Sequence, residues 1–383
     1  MTHRHRSGDG DGPRSEADTD PMRHSVEVEY WVIDDEGELT DPGDLVDASA
    51  GVEREFVAPL LEIKTTPCET TEELRGELFE RIDRVLRRAD DRGLGLVPLA
   101  TPLDADSIRD LPSERTRIQD RVVGDRFEYV RHCAGTHVHV EQQPGLEVEQ
   151  LNLLTALDPA IALVNSSPYF EGERLAAGAR SLLYRRMAYS ALPHQGELWR
   201  YSEDTETWAR RLERRYQEFK TAAVVAGIDP ETVDSTFDPE GAVWTPVKFR
   251  EPFSTVEWRS PDTALPSQVI RLASDIVGVV ERLREADVKI EGDAGHLRED
   301  EIVIPRFDAL EERVDAAIRD GLSSDTVRMY LDRMGFDVGA YDPITHDIGD
   351  NEALSTTDVR ELRLDYAARL ETDLEEARAI RAD

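Results

Sequence analysis

The sequence predicts an α+β fold built on an antiparallel sheet. Predicted strands and helices are mixed along the chain, without the strict strand–helix alternation of a doubly wound fold. Four predicted strands carry apolar residues on one face and charged or imidazole side chains on the other, which is the pattern of a sheet with one packed face. The sequence contains no GxGxxG, Walker A, GxSxG or HExxH motif.

The elements follow from hydrophobic periodicity. Apolar runs of strand length predict strands at residues 25–33, 56–65, 94–99, 133–141, 243–249 and 253–260. Helices are predicted at 70–91, 147–165, 206–225 and 264–286, the first with Thr70 or Thr71 as its N-cap. Residues 287–302 contain Gly and Asp and are predicted to be a link. Three charged amphipathic helices are predicted at 306–319, 323–334 and 357–381.

The 383 residues are predicted to divide into three parts. Residues 1–21 are polar and low in apolar content, which predicts a disordered tail. Met22 stands three residues before the first strand, and we expect it to be the true start. Residues 22–290 hold the mixed strands and helices of the main domain, and residues 291–383 form a helical C-terminal extension.

The chain is strongly acidic, with 81 Asp and Glu against 46 Lys and Arg and a net charge of −35. Only four of the basic residues are lysines, and the mean hydropathy is −0.52. This composition predicts a surface adapted to concentrated salt, where the Debye length is about 3 Å at 1 M. The alternative, an acidic disordered chain, disagrees with the periodic apolar segments. Nucleic-acid binding is not expected, because phosphates require a basic surface.

The two cysteines, Cys68 and Cys133, lack metal-site or redox spacing. They predict a protein of the reducing cytoplasm. No apolar run is long enough to span a bilayer, and no apolar signal-peptide core is visible, so no membrane association is expected. The oligomeric state is left open.

The stretch "HSVEVEYWVIDDEG" at residues 24–37 places Glu27 and Glu29 inside an otherwise apolar strand. Because successive side chains of a strand point to opposite faces, both carboxylates lie on the same face. Two adjacent anions repel each other unless water or a cation separates them. The pair therefore makes this face of the sheet a candidate cation site.

Three further strands repeat the pattern of two polar residues separated by one apolar residue. They contain the pairs Glu62 and Lys64, His137 and His139, and Glu257 and Arg259. For any one strand, a solvated sheet face is the simpler explanation. The whole set is richer in carboxylate, imidazole and guanidinium groups than a solvated face, and these groups bind divalent cations and phosphate. We therefore predict that they converge on a cavity for metal ions and a polyphosphate.

The histidine pair leaves two alternatives open. Two histidines on one strand face are compatible with zinc, which would require further histidine, cysteine or carboxylate ligands. The surplus of carboxylates favours Mg²⁺ or Mn²⁺ instead. His139 is compatible with either a ligand role or an orienting role.

Five motifs in order resemble those of the type 2 glutamate–cysteine ligase family, the GCS2-like carboxylate–amine ligases. They are "VEVEYWVID", "LLEIKTTPC", "AGTHVHV", "ALVNSSPYFEGE" followed by "GARS", and "STVEWRSPD", and they cover roughly residues 24–290. The resemblance implies a glutamine-synthetase-like catalytic domain over residues 22–290. Its curved antiparallel sheet would form a funnel flanked by helices, with ATP at one end and amino acids at the other.

The resemblance also implies roles for particular residues. Two or three Mg²⁺ ions would be held at the metal-ligand positions, which are Glu27, Glu29, Glu62, His137 and Glu257. Arg259 would contact the transferring phosphate and, with Glu257, act in catalysis. Lys248 stands where relatives more often have arginine and would contact nucleotide or phosphate. Arg180 would bind the α-carboxylate of glutamate; the alternative for Arg180 is a surface arginine in an arginine-rich stretch.

The implied reaction consumes ATP, glutamate and cysteine. ATP would convert the γ-carboxylate of glutamate into γ-glutamyl phosphate, and the amino group of cysteine would displace phosphate to give γ-glutamylcysteine. No protein nucleophile is needed, so Cys68 and Cys133 are expected to be dispensable. Together with the acidic composition, the resemblance implies a halophilic archaeal member. The alternatives are a carboxylate–amine ligase with another acceptor amine, and a non-enzymatic acidic metal-binding scaffold.

Overall fold

The computed structural model describes residues 21–104, 108–349 and 351–382, with side chains described as far as residue 379. The predicted disordered tail, apart from Pro21, lies outside the described residues, so that prediction stays untested. Met22 is described and is buried in the main core.

The described strands are short except for the first. They are β1 (His24–Asp34), β2 (Val52–Arg54), β3 (Leu60–Lys64), β4 (Leu94–Val97), β5 (Thr136–Glu141), β6 (Tyr169–Phe170), β7 (Glu173–Arg174), β8 (Val247–Arg250), β9 (Thr255–Trp258), β10 (Asp287–Ile290), β11 (His296–Leu297) and β12 (Glu301–Ile304).

The described α-helices surround these strands. They are α1 (Thr71–Asp90), α2 (Glu114–Val123), α3 (Glu128–Arg131), α4 (Glu147–Ala156), α5 (Ala179–Leu182), α6 (Thr205–Val225), α7 (Pro230–Thr236), α8 (Pro239–Ala242), α9 (Pro266–Glu281), α10 (Phe307–Asp320), α11 (Asp325–Arg333) and α12 (Thr356–Ala382). Helix α5 continues as a π-helix over Leu183–Ala188.

The main sheet is antiparallel and open, in the order β2-β3-β1-β5-β9-β8, and β4 pairs with the end of β1. The α+β prediction is therefore confirmed, including the antiparallel sheet with flanking helices. Helix α1 begins at a capping box, in which the Thr70 side chain accepts from the Glu73 N–H and the Glu73 carboxylate accepts from the Thr70 N–H.

Strand β1 shows how the sheet separates core from cavity. Val26, Val28 and Tyr30 point to one face and are fully buried in the largest apolar cluster. Glu27 and Glu29 alternate with them and line a cavity on the other face. The period-two pattern thus places the carboxylates opposite the core, as the alternation rule requires.

The prediction of a link at residues 287–302 is wrong. Strands β10, β12 and β11 form a second, three-stranded sheet there, in which β10 and β12 are parallel. Alternating short apolar runs such as "EIVI" carry the strand signal, but glycines and aspartates in the connecting turns obscured it. The predicted helix at 147–165 ends at Ala156 and continues as a 3₁₀ segment over Asp158–Leu163, because Pro159 cannot donate to a helical carbonyl.

The C-terminal helices pack on the rest of the chain. Arg363 of α12 is buried and donates to the carbonyls of Pro102 and Gly37. Tyr330 of α11 donates to the Ala156 carbonyl at 2.6 Å. Strand β10 ends at Ile290 and pairs with β12, so the predicted boundary between 290 and 291 falls between paired strands. The division into a catalytic domain and a helical extension stays a prediction.

Candidate active site

The register of the main sheet brings the predicted polar pairs together on one face. Across β1 and its neighbours, Glu29 lies opposite Glu62 and Glu27 lies opposite His137. On the next pair of strands, Glu257 lies between His139 on one side and Lys248 on the other. The polar side chains of the four predicted strands therefore form one continuous surface.

Three groups of ligand atoms on this surface could each hold a metal ion. They are Glu27–His139–Glu257, Glu27–Glu62–His137 and Glu29–Glu55–Glu62, and within each group the ligand atoms lie within 4.8 Å of one another. The first two groups share Glu27, and the last two share Glu62. The three groups therefore form a row of adjoining sites.

The histidines are held by hydrogen bonds that orient their rings. His137 Nδ1 lies 3.0 Å from Glu27 Oε2 and 3.5 Å from Glu257 Oε1. His139 Nδ1 lies 3.1 Å from the Thr255 hydroxyl, and its Nε2 lies 3.7 Å from both Glu27 Oε1 and Glu257 Oε1. His139 Nε2 and Glu257 Oε2 are buried and have no hydrogen-bond partner among the described residues. Buried ligand atoms without partners fit a divalent cation.

The carboxylates are crowded enough to shift their own pKa values. Burial and the charges of Glu27 and Glu29 raise the pKa of Glu62 to about 8, although Lys64 lies 2.8 Å away. Burial and the charges of Glu29 and Glu62 raise the pKa of Glu55 well above its usual value. The pKa of Glu27 is different: burial opposes its charge, but His137 and His139 hold its pKa well below the ordinary value. Divalent cations would relieve this repulsion.

Basic side chains converge on Glu257 from the other side. Arg259 Nε, Arg250 Nε and Lys248 Nζ lie 3.4, 3.5 and 3.8 Å from its carboxylate. Although burial acts against the charged form, Arg259 and Lys248 lower the pKa of Glu257 to about 2. Burial and the Arg259 charge lower the pKa of Lys248 to about 7. Arg115 of α2 lines the same region.

These groups line a cavity of about 280 Å³. The carboxylates and basic residues share this cavity with an aromatic group formed by Tyr184, Tyr189 and Trp244. The Tyr184 and Trp244 ring centroids are 4.6 Å apart. Tyr184 belongs to the π-helix, an uncommon element that is often found at functional sites.

Arg180 lies behind the site instead of along the cavity wall. Its guanidinium is buried and donates to the carbonyl oxygens of Ser260 and Arg259, at 2.9 and 3.2 Å. Gly135 leaves space for it, since a Cβ at Gly135 would lie 2.2 Å from Arg180 Nη2. These contacts brace the backbone that carries Arg259. The predicted contact with a substrate carboxylate stays a prediction.

A second set of hydrogen bonds holds the C-terminal end of β9. Asp158 is completely buried and accepts hydrogen bonds from the Trp258 indole, the Ser260 hydroxyl and both terminal nitrogens of Arg185. A carboxylate with this many donors is firmly oriented. Because Trp258 lies between Glu257 and Arg259, the network fixes the backbone from which both functional side chains project.

Sequence reasoning missed several cavity residues, among them Glu55, Arg115, Arg250 and Phe253. Glu55 lies between β2 and β3, and Arg115 lies on a helix that was not predicted. Arg250 stands two residues after Lys248 on β8, so the same alternation that revealed the other pairs could have identified it.

Asp262 supports a prediction about pH. It is buried, and its Oδ2 accepts from the Ser166 N–H at 3.0 Å. Burial raises its pKa from 3.8 to about 7, against the opposing effects of Arg180 and the Ser166 hydrogen bond. Its protonated form therefore favours folding below about pH 4, and this contribution is lost as pH rises through about 7.

Asp262→Asn keeps the acceptor but cannot ionise. We expect its free energy of unfolding to fall less than that of the wild type between pH 5 and pH 8, by a few kilocalories per mole. Chemical denaturation at both pH values measures the difference. Identical pH dependence in the two proteins would contradict the raised pKa assigned to the buried Asp262 carboxyl group.

The structure resembles solved ligase structures. It matches a bifunctional glutathione synthetase from Pasteurella multocida with a TM-score of 0.52 and 13% identity, over 92% of this chain and 53% of that chain. It matches a glutamate–cysteine ligase from Francisella tularensis, in complex with AMP, with a TM-score of 0.50 and 12% identity, over 92% and 89% of the two chains. At these identities the likeness shows the shared glutamine-synthetase-like fold.

Sequence relatives match over a shorter region. The protein named "Putative glutamate--cysteine ligase 2" of Corynebacterium glutamicum (strain R) is 30% identical over 158 residues. The one named "Putative glutamate--cysteine ligase 2-1" of Mycolicibacterium smegmatis is 27% identical over 186 residues. These matches cover 39% and 45% of this chain, and 40% and 49% of the length of the relatives.

Within the described residues, no helix is both long enough and apolar enough to cross a bilayer.

The family model for glutamate–cysteine ligase family 2 matches residues 25–327, which include every cavity residue discussed above. The chain therefore belongs to glutamate–cysteine ligase family 2.

Proposed function

We propose that the protein is an ATP-dependent carboxylate–amine ligase that joins the γ-carboxylate of glutamate to the amino group of cysteine. The observation that carries the proposal is the row of three adjoining carboxylate and histidine groups beside a cluster of basic side chains. Phosphoryl transfer to a carboxylate concentrates negative charge on oxygen atoms, and this arrangement places compensating charge on both sides of the cavity.

The donor set fits Mg²⁺ or Mn²⁺, since it is rich in oxygen and contains only two histidines. Glu27, Glu62 and Glu257 would hold the ions together with His137 and His139, and Glu29 and Glu55 complete the third group. Bound divalent ions would polarise the phosphoryl oxygens and neutralise their charge. His139 presents Nε2 to the first group because the Thr255 hydroxyl occupies its other nitrogen.

The basic side chains would act on the nucleotide phosphates. The half-buried guanidinium of Arg259 lies 3.4 Å from the Glu257 carboxylate, and Arg180 donates to the Arg259 backbone carbonyl, so the side chain offers donors with little reorganisation. Lys248 and Arg250 lie on the neighbouring strand, and Arg115 approaches from α2. An oxygen of the γ-carboxylate would attack the terminal phosphorus, and the bond from that phosphorus to ADP would break.

The second step needs an amine and no protein nucleophile. The amino nitrogen of the acceptor would attack the acyl carbon, lose a proton and release phosphate. Cys68 and Cys133 are both buried, and burial raises the pKa of the Cys68 thiol to about 12. Neither lines the cavity, which supports the prediction that protein sulfur takes no part.

The test measures phosphate release in molar KCl with Mg²⁺ and ATP. We expect release to require glutamate, to rise sharply when cysteine is added, and to yield ADP and a product with a free thiol. A maleimide reaction distinguishes this amide from a thioester, in which the thiol is blocked. The Cys68→Ser, Cys133→Ser double variant is the matched control and should behave like the wild type.

The outcomes separate the candidate functions. Glutamate-dependent ATP turnover that is stimulated by another amine, and not by cysteine, would support the ligase proposal. It would reject cysteine as the acceptor. Metal binding without amino-acid-stimulated ATP turnover would reject the enzyme and favour the metal-binding scaffold.

Arg259→Lys is expected to lower turnover by roughly 10²-fold or more, with a smaller change in the KM for glutamate. Lysine keeps the positive charge but lacks the planar two-point geometry of a guanidinium. Steady-state kinetics at saturating ATP measure the effect. Arg186→Lys is the matched control, because Arg186 is exposed and paired with Asp315. Equal kinetics in both variants would contradict a role for Arg259 in phosphoryl transfer.

We also propose that the protein is a halophilic archaeal member of its family and works in the cytoplasm. The net charge of −35 and the scarcity of lysine support the first statement. The two free thiols support the second.

A further inference from the structure

An aromatic side chain stands at the rim of the cavity with no core to pack against. Phe253 lies at the tip of the turn between β8 and β9, and 60% of its surface is exposed. It lines the cavity together with Lys248, Arg250 and Glu257. Among the exposed large apolar side chains of the described residues, Phe253 is the only aromatic one and the only one that lines this cavity, beside its cluster of basic groups.

Two neighbours fix the position of the phenyl ring. The Arg250 guanidinium lies over the ring, 5.3 Å from its centroid. The His139 ring meets it edge to face, with centroids 6.1 Å apart and planes at 78°. His139 also belongs to the first metal group. Only its ring therefore separates Phe253 from the place where metal-bound phosphates would lie.

The backbone of the turn is also well defined. Ser254 follows Phe253 with φ of 52°, a left-handed conformation that a serine adopts only where its surroundings favour it. Its N–H donates to the Glu251 carbonyl at 3.2 Å, and its carbonyl accepts from the Gln142 N–H at 2.9 Å. The second bond ties the turn to the end of β5, so the ring is presented in a preorganised position.

We propose that Phe253 is the stacking platform for the nucleobase of the nucleotide. This inference rests on the proposed function, because it requires a nucleotide whose phosphates reach the metal groups. An exposed aromatic ring with a guanidinium over one face is a surface on which a flat heteroaromatic base stacks through the other face. The base would rest on Phe253 while the phosphates extend past His139 toward Arg259.

The platform provides affinity without strong selection among bases. Every nucleobase has a π face, so stacking tolerates a change of base. Removing the ring should therefore weaken the binding of ATP and of GTP by similar factors. It should leave the binding of a phosphate chain that has no base unchanged.

The experiment measures equilibrium binding of Mg²⁺–ATP, Mg²⁺–GTP and Mg²⁺–tripolyphosphate to the full chain in molar KCl, by calorimetry. For Phe253→Ala we expect the Kd for both nucleotides to rise roughly 5- to 150-fold, while the Kd for tripolyphosphate stays at the wild-type value. Phe253→Trp keeps an aromatic ring, so it should bind both nucleotides about as tightly as the wild type does. Met329→Ala is the matched control, since Met329 is 59% exposed on α11 and lies outside the cavity lining.

The outcomes distinguish this inference from the proposed function. If the wild type binds ATP and Phe253→Ala binds it equally well, the stacking role is wrong and the ligase proposal stands. A parallel loss of ATP and tripolyphosphate binding would also overturn the inference, because the ring would then act through the phosphate and metal groups. If the wild type binds no nucleotide, the proposed function fails and the inference fails with it.

Discussion

Glu62→Gln is expected to abolish ligation while leaving the metal-free fold at least as stable as that of the wild type. Glu62 belongs to two of the three metal groups, so a neutral amide weakens both. We expect turnover to fall by on the order of 10³-fold, because charge stabilisation is lost at the transferring phosphoryl group. In the absence of metal, burial and the charges of Glu27 and Glu29 raise the pKa of Glu62 to about 8, so the neutral amide replaces a carboxyl group that is already largely protonated near pH 7.

Two measurements test this prediction. Turnover at saturating Mg²⁺ reports the catalytic loss, and the thermal midpoint with and without Mg²⁺ reports metal binding independently of activity. Metal raises the midpoint of the wild type by mass action, and this increment should be lost in the variant. Glu53→Gln is the matched control, because Glu53 pairs with Glu62 across the sheet and contacts Lys64 at 3.0 Å, yet it belongs to none of the three groups. Wild-type turnover in Glu62→Gln would contradict the metal assignment.

Removing salt is expected to inactivate and unfold the protein. The 81 acidic residues exceed the 46 basic residues by 35, and many arginines are already engaged in surface pairs such as Arg84 with Glu80. Exposed pairs of this kind contribute little to stability. When KCl falls from 1 M to 0.01 M, the Debye length grows from about 3 Å to about 30 Å, so the repulsion between unpaired carboxylates extends across the surface.

The thermal midpoint in a KCl series, with EDTA present, isolates the surface effect from metal binding. We expect the midpoint to rise steadily toward molar KCl. Sucrose at matched osmotic strength is the control, because it stabilises compact states by exclusion but does not screen charge. A midpoint that is the same at low and molar KCl would refute the salt-adapted surface.

The polar face of the sheet was predictable because strand alternation is a local rule. Pairs separated by one residue, such as Glu27 and Glu29, had to share a face, and their recurrence on four strands indicated a common surface. The pairing of Glu29 with Glu62 and of Glu27 with His137 comes from the strand register, which the sequence pattern did not specify. The convergence was therefore predictable, and the membership of each metal group was not.

Residues outside regular strands escaped prediction. Glu55 reaches the third metal group from the connection between β2 and β3, and no periodic pattern marks such a residue. Arg115 depends on how α2 docks against the chain 126 residues further on, where it donates to the Gly241 carbonyl. The role of Phe253 depends on the exposed turn that holds it. These positions are set by tertiary packing, which a single sequence does not display.

The alternation along β1 also has a consequence for protein engineering. Val26, Val28 and Tyr30 pack the core, whereas Glu27 and Glu29 face the cavity, so neighbouring positions in the chain are subject to separate demands. A randomised library confined to the cavity-facing positions of β1, β3, β5 and β9 would vary ligand chemistry on an unchanged scaffold. The same library shifted by one residue would change core volume at every position, and most of its members would fail to fold.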